Sequence, residues 1–280
     1  MRKFDYTFLK KISVPADIMN SATSIYEMKA KAELRRTDFA DVFSAMESVA
    51  KIQSVKSSNA IEGIITTDKR IRDIVNKSTV PQGHNELEIA GYRDALDLIH
   101  SSYSDIPFSE KSILELHRML LQPSGDDLAG KYKTEDNFIM ETDRRGVRSV
   151  RFTPVPASET SAAMEQLILA YHATYSESEI NPLLLIPCVI LDFLCIHPFN
   201  DGNVRMSRLL TLLLLYRAGY IVGINHLDEF DCGSGSGWMY TVNGWFPNYG
   251  CSSYYLRDGD VIVWCYTCEG LGTDVGADEW

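Results

Sequence analysis

One stretch of the chain, residues 197–208, concentrates side chains that could do chemistry, and it reads His-Pro-Phe-Asn-Asp-Gly-Asn-Val-Arg-Met-Ser-Arg. His197 carries an imidazole, the side chain best suited to accept a proton near neutral pH. Because a proline disfavours α-helical geometry at the residue before it, Pro198 predicts that His197 ends the preceding apolar helix, where it can face a cleft. Asp201 offers hard oxygen ligands of the kind that Mg²⁺ binds.

The second half of this stretch is suited to phosphate. Gly202 and Asn203 form a turn pair that can present successive backbone N–H groups, and apolar residues resume helical spacing directly after them. A helix N-terminus that follows such a turn binds phosphate oxygens. Arg205 and Arg208 lie three residues apart, can approach one helix face, and carry guanidinium forks that match phosphate. Each residue alone is more often structural, but together they indicate that the segment handles a magnesium-bound nucleotide.

Most of the chain before residue 226 has the apolar spacing of three and four residues that predicts α-helices. Helices are expected at Ile18–Arg36, Phe39–Val55, Glu86–Ser101 and Ser109–Leu121. Another should follow a cap at Thr67 or Asp68, and a last one, preceded by Ser158 and Ser161, should run through Tyr171. The apolar run Leu183–Ile196 is shorter than the ~20 residues that span a membrane, so it predicts a buried core helix.

Two regions break the helical pattern. Asn137–Thr153 places two β-prone runs around an Asp-Arg-Arg-Gly turn, which predicts a β-hairpin. Beyond residue 226, short strands are expected at 238–242, 254–256 and 261–266, with turns at Asn243-Gly244 and Asp258-Gly259. The expected fold class is therefore mainly α, with one hairpin and a small β-rich C-terminal segment.

Composition limits the class of protein and its compartment. The 280 residues carry a formal net charge of -11, which argues against non-specific binding to nucleic acid. The N-terminus lacks the apolar stretch of a secretory signal, and six cysteines in a chain this long do not make a disulfide scaffold. We therefore expect a cytoplasmic protein without a membrane span. All four tryptophans follow residue 226, which favours a domain boundary there.

The stretch at 197–208 resembles the signature of the Fic (Fido) family of protein adenylyltransferases, His-Pro-Phe-x-Asp/Glu-Gly-Asn-Gly/Lys-Arg-x-x-Arg. Seven of the eight fixed positions through Arg205 match, and Arg208 matches as well. Upstream segments are also similar to that family, namely Glu86–Ala95, Leu116-His117 and Ala129–Lys133. The resemblance implies a Fic-type helical bundle with a hairpin flap, with an N-terminal helical region at 1–80, a catalytic core at 81–225 and a β-rich module at 226–280.

The resemblance implies an enzyme that transfers AMP from ATP, with Mg²⁺, to a protein hydroxyl. His197 would deprotonate that hydroxyl, and Asp201 would hold Mg²⁺. The phosphates would be bound by residues at the start of the helix, namely Gly202, Asn203, Val204, Arg205 and, for the γ-phosphate, Arg208. The 137–153 hairpin would dock the target by β-augmentation. The target is either another protein or the chain itself, and a homo-oligomer is left open.

A second motif lies far upstream. Ser58-Asn-Ala-Ile-Glu62-Gly63 matches the family's inhibitory pattern, Ser/Thr-x-x-x-Glu-Gly/Asn. Ser58 and Glu62 would lie one helical turn apart. We expect this helix to present Glu62 to Arg208, where its carboxylate would take the place of the γ-phosphate and inhibit the enzyme.

Two features depart from the family pattern. Val204 stands where the family has Gly or Lys; a β-branched residue is costly there if φ must be positive, and tolerable if the helix has already begun. Residues beyond 226 resemble part of a transcobalamin-C-terminal-like β-grasp domain instead of the family's further helices. Three alternatives to AMP transfer therefore stay open: a non-catalytic or weakly active nucleotide-binding interaction protein, transfer of another phosphate-containing group, and deAMPylation with Glu62 positioning water.

Overall fold

The computed structural model describes residues 4–35, 40–142, 146, 148–220, 237–243 and 262–267. The chain divides into two compact units, one made of Met1–Arg36 and Ser54–Ile221 and the other of Thr37–Gln53 and Val222–Trp280. The helices are α1 Ala16–Arg35, α2 Ala40–Ala60, α3 Asp68–Val75, α4 Gly83–Ser102, α5 Glu110–Leu121, α6 Ala157–Ser176, α7 Pro182–Ile196 and α8 Asn203–Arg217. The mainly α prediction is confirmed.

Local sequence rules set most of the helix ends. Thr67, one of the two predicted caps, is the N-cap of α3, and its hydroxyl accepts a hydrogen bond from the Arg70 N–H at 3.3 Å. The start predicted for α6 is wrong, because Ser158 lies inside that helix and Pro156 is its N-cap. Pro156 has no side-chain acceptor, and the first N–H of the helix, that of Ala157, donates instead to Asp136 Oδ1 at 2.7 Å.

The larger unit is built around α4, which packs against α5 and α8. The apolar face predicted for α4 is buried, with Ile89, Ala95 and Ile99 each no more than 1% exposed. Gly91 allows a close approach to α5, since a Cβ at this position would lie 2.1 Å from the Leu120 carbonyl oxygen. Helix α4 is therefore held at a fixed distance from the elements that carry the 197–208 stretch.

Helix α7 is the buried core helix that the sequence predicts, and it packs between α6 and α8. Its one acidic residue, Asp192, is 6% exposed and accepts a hydrogen bond at 3.0 Å from the hydroxyl of Tyr6, which is 2% exposed. This bond offsets the cost of burying a polar group in an apolar helix. Among the described residues, no helix is long and apolar enough to cross a membrane.

Two antiparallel strand pairs complete the described structure, and the first of them forms a hairpin. Strands β1 (Ile139–Thr142) and β2 (Arg148–Phe152) pair as the sequence predicts for 137–153. In the smaller unit, β3 (Gly237–Val242) pairs with β4 (Ile262–Thr267), so two of the three strands expected in the tail are present. The strand expected at 254–256 and the turn at Asp258-Gly259 lie outside the described residues.

The Glu86–Arg70 ion pair joins α4 to α3 and generates a prediction about stability. The Glu86 carboxylate accepts hydrogen bonds from Arg70 Nε at 2.8 Å and from the Gln82 N–H at 2.7 Å. The Arg70 hydrogen bond lowers the pKa of Glu86 to about 2. Because the folded-state pKa lies below the unfolded one, this pair stabilises the fold above about pH 4.5 and loses its effect as the pH falls towards 2.

We therefore expect Glu86→Gln to lower the thermal unfolding midpoint at pH 7, and the difference from the parent to shrink between pH 4.5 and 2. Melting curves of both proteins across this pH range measure the effect. Glu115→Gln is the matched control, because Glu115 pairs with Arg118 on the surface of α5. A Glu86→Gln difference that stays constant with pH would contradict the assignment.

Candidate functional site

His197 lies at the end of α7 in the left-handed conformation, with φ 51° and ψ 61°. Its N–H still donates to the Phe193 carbonyl at 2.9 Å, which closes the last helical turn. The helix-end position predicted from Pro198 is therefore observed. This turn directs the following residues, Pro198 and Phe199, back into the core, where both are buried.

The electrostatic surroundings of His197 favour the neutral ring. Burial lowers its pKa, the nearby charge of Lys133 lowers it further, and a hydrogen bond with the Leu194 backbone acts in the opposite direction. An imidazole that is neutral at physiological pH can accept a proton, which is the property that a general base requires. His197 is thus a half-buried base at the start of the loop that residues 197–202 form between α7 and α8.

Asn203 fastens the loop to the start of α8. Its side-chain amide donates to the Phe199 carbonyl at 2.8 Å and its side-chain oxygen accepts from the Phe199 N–H at 3.0 Å. Gly202 precedes the helix with φ 74°, which is a conformation that favours glycine. A Cβ on Gly202 would also lie 3.0 Å from a Leu120 methyl carbon. The Gly-Asn pair is therefore required by the geometry of this turn.

His117, on α5, contacts the loop at two points. Its ring stacks on Phe199 with a centroid distance of 3.7 Å and an interplanar angle of 5°. Its Nδ1 accepts the Gly130 N–H at 2.9 Å, which leaves Nε2 as the donor to the Asp201 carbonyl at 3.1 Å. Burial lowers the pKa of His117 to about 4, so the ring is neutral. Sequence reasoning gave this residue no role.

Lys133 and Asn137, which precede the first hairpin, hydrogen-bond to the backbone of α7's last residue and of the loop. Lys133 is 4% exposed, and its ammonium donates to the Ile196 carbonyl at 3.1 Å and to Asn137 Oδ1 at 2.8 Å. Asn137 in turn donates to the carbonyls of Phe199, at 3.1 Å, and His197, at 3.4 Å. Burial lowers the pKa of Lys133 to about 8. In the sequence, Lys133 belongs to the Ala129–Lys133 segment, which resembles the family but does not by itself indicate a role for the lysine.

Arg205 is the most buried charged side chain of the site, with no exposed surface. Its guanidinium pairs with three carboxylates: Glu62 at Nε, Glu88 at Nη1 and Asp201 at Nη2, the last at 3.3 Å. Glu88 comes from α4, whereas Asp201 precedes the same helix as Arg205. A guanidinium can be buried at moderate cost only when its charge is paired, so these carboxylates are what permits its position.

The predicted pairing of Glu62 with Arg208 is wrong in this structure. Glu62 pairs with Arg205 and also accepts a hydrogen bond from the Arg205 backbone N–H. Helix α2 ends at Ala60, so Glu62 lies in the turn that follows the helix, where Gly63 has φ 77°. A carboxylate in this turn reaches the start of α8, which is one turn short of Arg208.

Ser58, the first residue of the upstream motif, has a structural role. It is fully buried, and its hydroxyl donates to the Tyr92 hydroxyl on α4 at 2.9 Å. This bond ties the last turn of α2 to α4 and so sets where Glu62 emerges. Burial raises the pKa of Glu62, although Arg205 acts in the opposite direction.

Arg208 is exposed and lies in different surroundings from Arg205, so the two arginines do not share one face as expected. Its guanidinium donates a long hydrogen bond, 3.4 Å, to the Ser57 hydroxyl. No carboxylate of the described residues pairs with Arg208, so within this part of the chain its side chain can reach an anion without first breaking an ion pair.

Asp201 has the position and exposure expected of a metal ligand that acts together with substrate. Its side chain is 57% exposed, while Oδ1 accepts the Gly202 N–H at 2.6 Å. In the described part of the chain, no three His, Cys, Asp or Glu side chains converge to hold a metal ion by themselves. Mg²⁺ typically binds one or two carboxylates together with substrate phosphates, and this donor set fits that pattern.

Val204 is the second residue of α8, and its φ is not positive. Its carbonyl accepts the Ser207 hydroxyl at 2.7 Å, as an ordinary helical residue can. Of the two alternatives left by the sequence, the structure therefore selects the tolerable one, in which the helix has already begun.

The sequence profile of the Fic/DOC family matches residues 107–215, a segment that includes α5, the first hairpin and nearly all of α8. Residues 107–215 form a Fic/DOC-family domain. The crystal structure of a Fic domain containing signaling protein from Bacteroides thetaiotaomicron has the same fold. It superposes with a TM-score of 0.60 at 23% identity, covering 70% of this chain and 72% of that chain.

Two curated relatives of the Fic domain are named protein adenylyltransferases. The Nematostella vectensis protein is 30% identical over 179 residues, which are 61% of this chain and 39% of that protein. The Caenorhabditis elegans protein fic-1 is 28% identical over 194 residues, which are 67% of this chain and 33% of that protein. This chain thus spans well under half the length of either relative.

A second profile, described as a domain of unknown function (DUF4430), matches residues 208–268. The match includes much of the region that composition separates from the Fic domain. Its description names no function, so the resemblance of this region to a transcobalamin-like domain stays a prediction. The boundaries at residues 80 and 225 also stay predictions.

Replacing Val204 tests the helical assignment. Val204→Gly restores the residue typical of the family, but we expect it to relieve no strain. It should lower the free energy of unfolding by at most about 1 kcal/mol, because glycine is a poor helix former. Chemical denaturation measures this, with Val204→Ala as the control that removes the branched side chain but keeps helix propensity. A more stable Val204→Gly protein would show that the valine is strained.

Proposed function

We propose that this protein catalyses ATP-dependent transfer of AMP to a hydroxyl side chain of a protein, and that Glu62 inhibits this reaction. The main supporting observation is the position of Glu62, whose carboxylate lies on both the backbone N–H and the guanidinium of Arg205. A helix N-terminus with a buried arginine is suited to bind anions, and a carboxylate from the same chain lies there. The names of the curated relatives of the Fic domain support the same activity.

The proposed reaction consists of one proton transfer and one displacement at phosphorus. His197 takes the proton of the target hydroxyl, whose oxygen attacks the α-phosphorus of ATP. The new O–P bond forms as the bond to the bridging oxygen breaks, and pyrophosphate leaves with the electron pair. Arg205 and the N–H groups at the start of α8 stabilise the charge that develops on the phosphate oxygens. The rigid loop positions these groups before the reaction begins.

Asp201 would hold the Mg²⁺ that accompanies ATP, and the ion would neutralise part of the phosphate charge. Its exposed side chain leaves oxygen lone pairs available, while the Gly202 N–H and the Arg205 guanidinium set its orientation. Removal of Mg²⁺ is therefore expected to weaken ATP binding as well as transfer.

The first hairpin offers the surface on which the target would lie. Both strands are paired only with each other in the described structure, and the apolar side chains of the hairpin are exposed: Phe138 54%, Met140 45%, Val150 51% and Phe152 42%. An extended target segment could add to a strand edge and cover these side chains. The target is a protein hydroxyl, either on another protein or on this chain.

The Glu62→Gly protein tests the activity and its inhibition together. Incubated with Mg²⁺ and ATP labelled at the α-phosphate, it should label itself or an added target more than the parent does. Adding His197→Ala to Glu62→Gly should reduce labelling by roughly 10²- to 10⁴-fold, the usual contribution of a general base. His172→Ala is the control, because the His172 ring bonds to the Phe108 carbonyl at 2.7 Å and packs against Phe108 and Tyr171, none of which belongs to the site.

Labelling that survives loss of His197 would rule out the mechanism. Label that transfers only from the γ-phosphate would favour transfer of another phosphate-containing group. Release of AMP from a pre-labelled target would favour deAMPylation. ATP binding without any transfer would favour a nucleotide-binding interaction protein.

The position of Glu62 on Arg205 predicts which phosphates it excludes. ADP has the α- and β-phosphates but lacks the γ-phosphate assigned to Arg208. If Glu62 blocks the start of α8, Glu62→Gly should strengthen ADP and ATP binding by similar factors. A charge-assisted contact of about 1.5–3 kcal/mol corresponds to roughly ten- to hundred-fold in affinity.

Isothermal titration of both nucleotides, with and without the substitution, measures these factors. Glu62→Gln is the matched variant that keeps the size of the side chain but removes its charge. If ATP binding strengthens while ADP binding does not change, Glu62 competes at Arg208 and the proposed mode of inhibition is overturned.

A further inference from the structure

Glu88 is a buried carboxylate of the site that neither the signature nor the inhibitory motif contains. It lies on α4, and its side chain is 5% exposed. One oxygen, Oε2, pairs with Arg205 Nη1, and the other, Oε1, lies 2.6 Å from Nε2 of His84 one helical turn earlier. Both oxygens of Glu88 are therefore committed to specific partners.

The three carboxylates on Arg205 differ in how firmly they are placed. Glu62 lies in a turn after α2, and the side chain of Asp201 is 57% exposed. Glu88 belongs to the interior of a 20-residue helix that packs directly against α8. Glu62 and Asp201 can move to admit phosphate or a metal ion, whereas Glu88 can move only with the core of the domain.

The contact with Glu88 uses one of the three guanidinium nitrogens. Glu88 takes Nη1, while Nε and Nη2 point to Glu62 and Asp201, respectively. A guanidinium is planar, so fixing one nitrogen fixes the directions of the other donors. When Glu62 leaves, Arg205 would otherwise be a buried cation with one exposed partner, and it could turn away from the nucleotide.

We propose that Glu88 is a positioning residue for AMP transfer, which orients the Arg205 guanidinium towards the α- and β-phosphates of the nucleotide. This role rests on the proposed function. The carboxylate acts through Arg205 and does not itself contact the nucleotide. It also keeps the phosphate-binding group in place in both the inhibited and the released protein.

The chain offers a matched control two residues away. Glu86 is also buried on α4 and also pairs with an arginine, Arg70, which belongs to α3 and not to the site. If Glu88 served only to stabilise the fold, Glu86→Gln and Glu88→Gln should have the same kind of effect. Loss of folded protein lowers the apparent kcat but does not change the KM for ATP.

The experiment compares Glu88→Gln and Glu86→Gln in the Glu62→Gly background. Label transfer gives kcat and KM for ATP, and isothermal titration gives the Kd of ATP with Mg²⁺. Glu88→Gln should raise KM and Kd roughly ten-fold or more, the usual effect of removing a group that orients a ligand-binding side chain. Glu86→Gln should leave both constants unchanged. Glu88→Asp, which keeps the charge on a shorter side chain, should give an intermediate result and serves if Glu88→Gln does not fold.

Equal KM and Kd values for the two glutamine variants would overturn the role of Glu88. If the Glu62→Gly parent binds ATP but transfers no label, the proposed function fails, and the Kd values still decide whether Glu88 orients Arg205. A parent that binds no nucleotide would overturn both proposals.

Discussion

The buried guanidinium of Arg205 is the constraint on which the site depends. A cation with no exposed surface must be paired, and its three carboxylates come from separate parts of the chain. Glu88 therefore requires α4 to lie against α8, and Gly91 on the same helix lets α4 approach α5 closely. The packing of the Fic domain and the charge pattern around Arg205 are thus set by the same contacts.

The loop that carries His197 is held in place by buried side chains that hydrogen-bond to its backbone. His117 and Asn203 bind the loop from α5 and α8, while Lys133 and Asn137 bind it from the segment before the first hairpin. Burial keeps the His117 ring neutral, so it supports the loop without adding charge beside Arg205. The charge balance at Arg205 is therefore set by its three carboxylates.

The features that the sequence predicts well are those that local rules decide. Periodicity locates the helices, Pro198 places His197 at a helix end, and the Gly-Asn pair marks the start of α8. The partner of Glu62 could not be read in this way, because α2 ends at Ala60 and the glutamate lies beyond the helical spacing. His117 and Glu88 lie in segments that resemble the family, but the sequence assigned them no role, since a histidine or glutamate on a helix acquires its role only from tertiary packing.

The balance of forces on Glu62 explains how a buried ion pair can still be reversible. Burial raises its pKa even though Arg205 pulls in the other direction, so desolvation outweighs the attraction of the neighbouring cation. Such a pair contributes little net free energy, because much of the attraction offsets the loss of hydration. In the proposed reaction, a nucleotide phosphate would bring more charge to the same N–H groups, and Arg205 would remain paired with Glu88 throughout the exchange. On this proposal, displacing Glu62 would require movement of the turn after α2 alone, without rearrangement of the helices that hold the site.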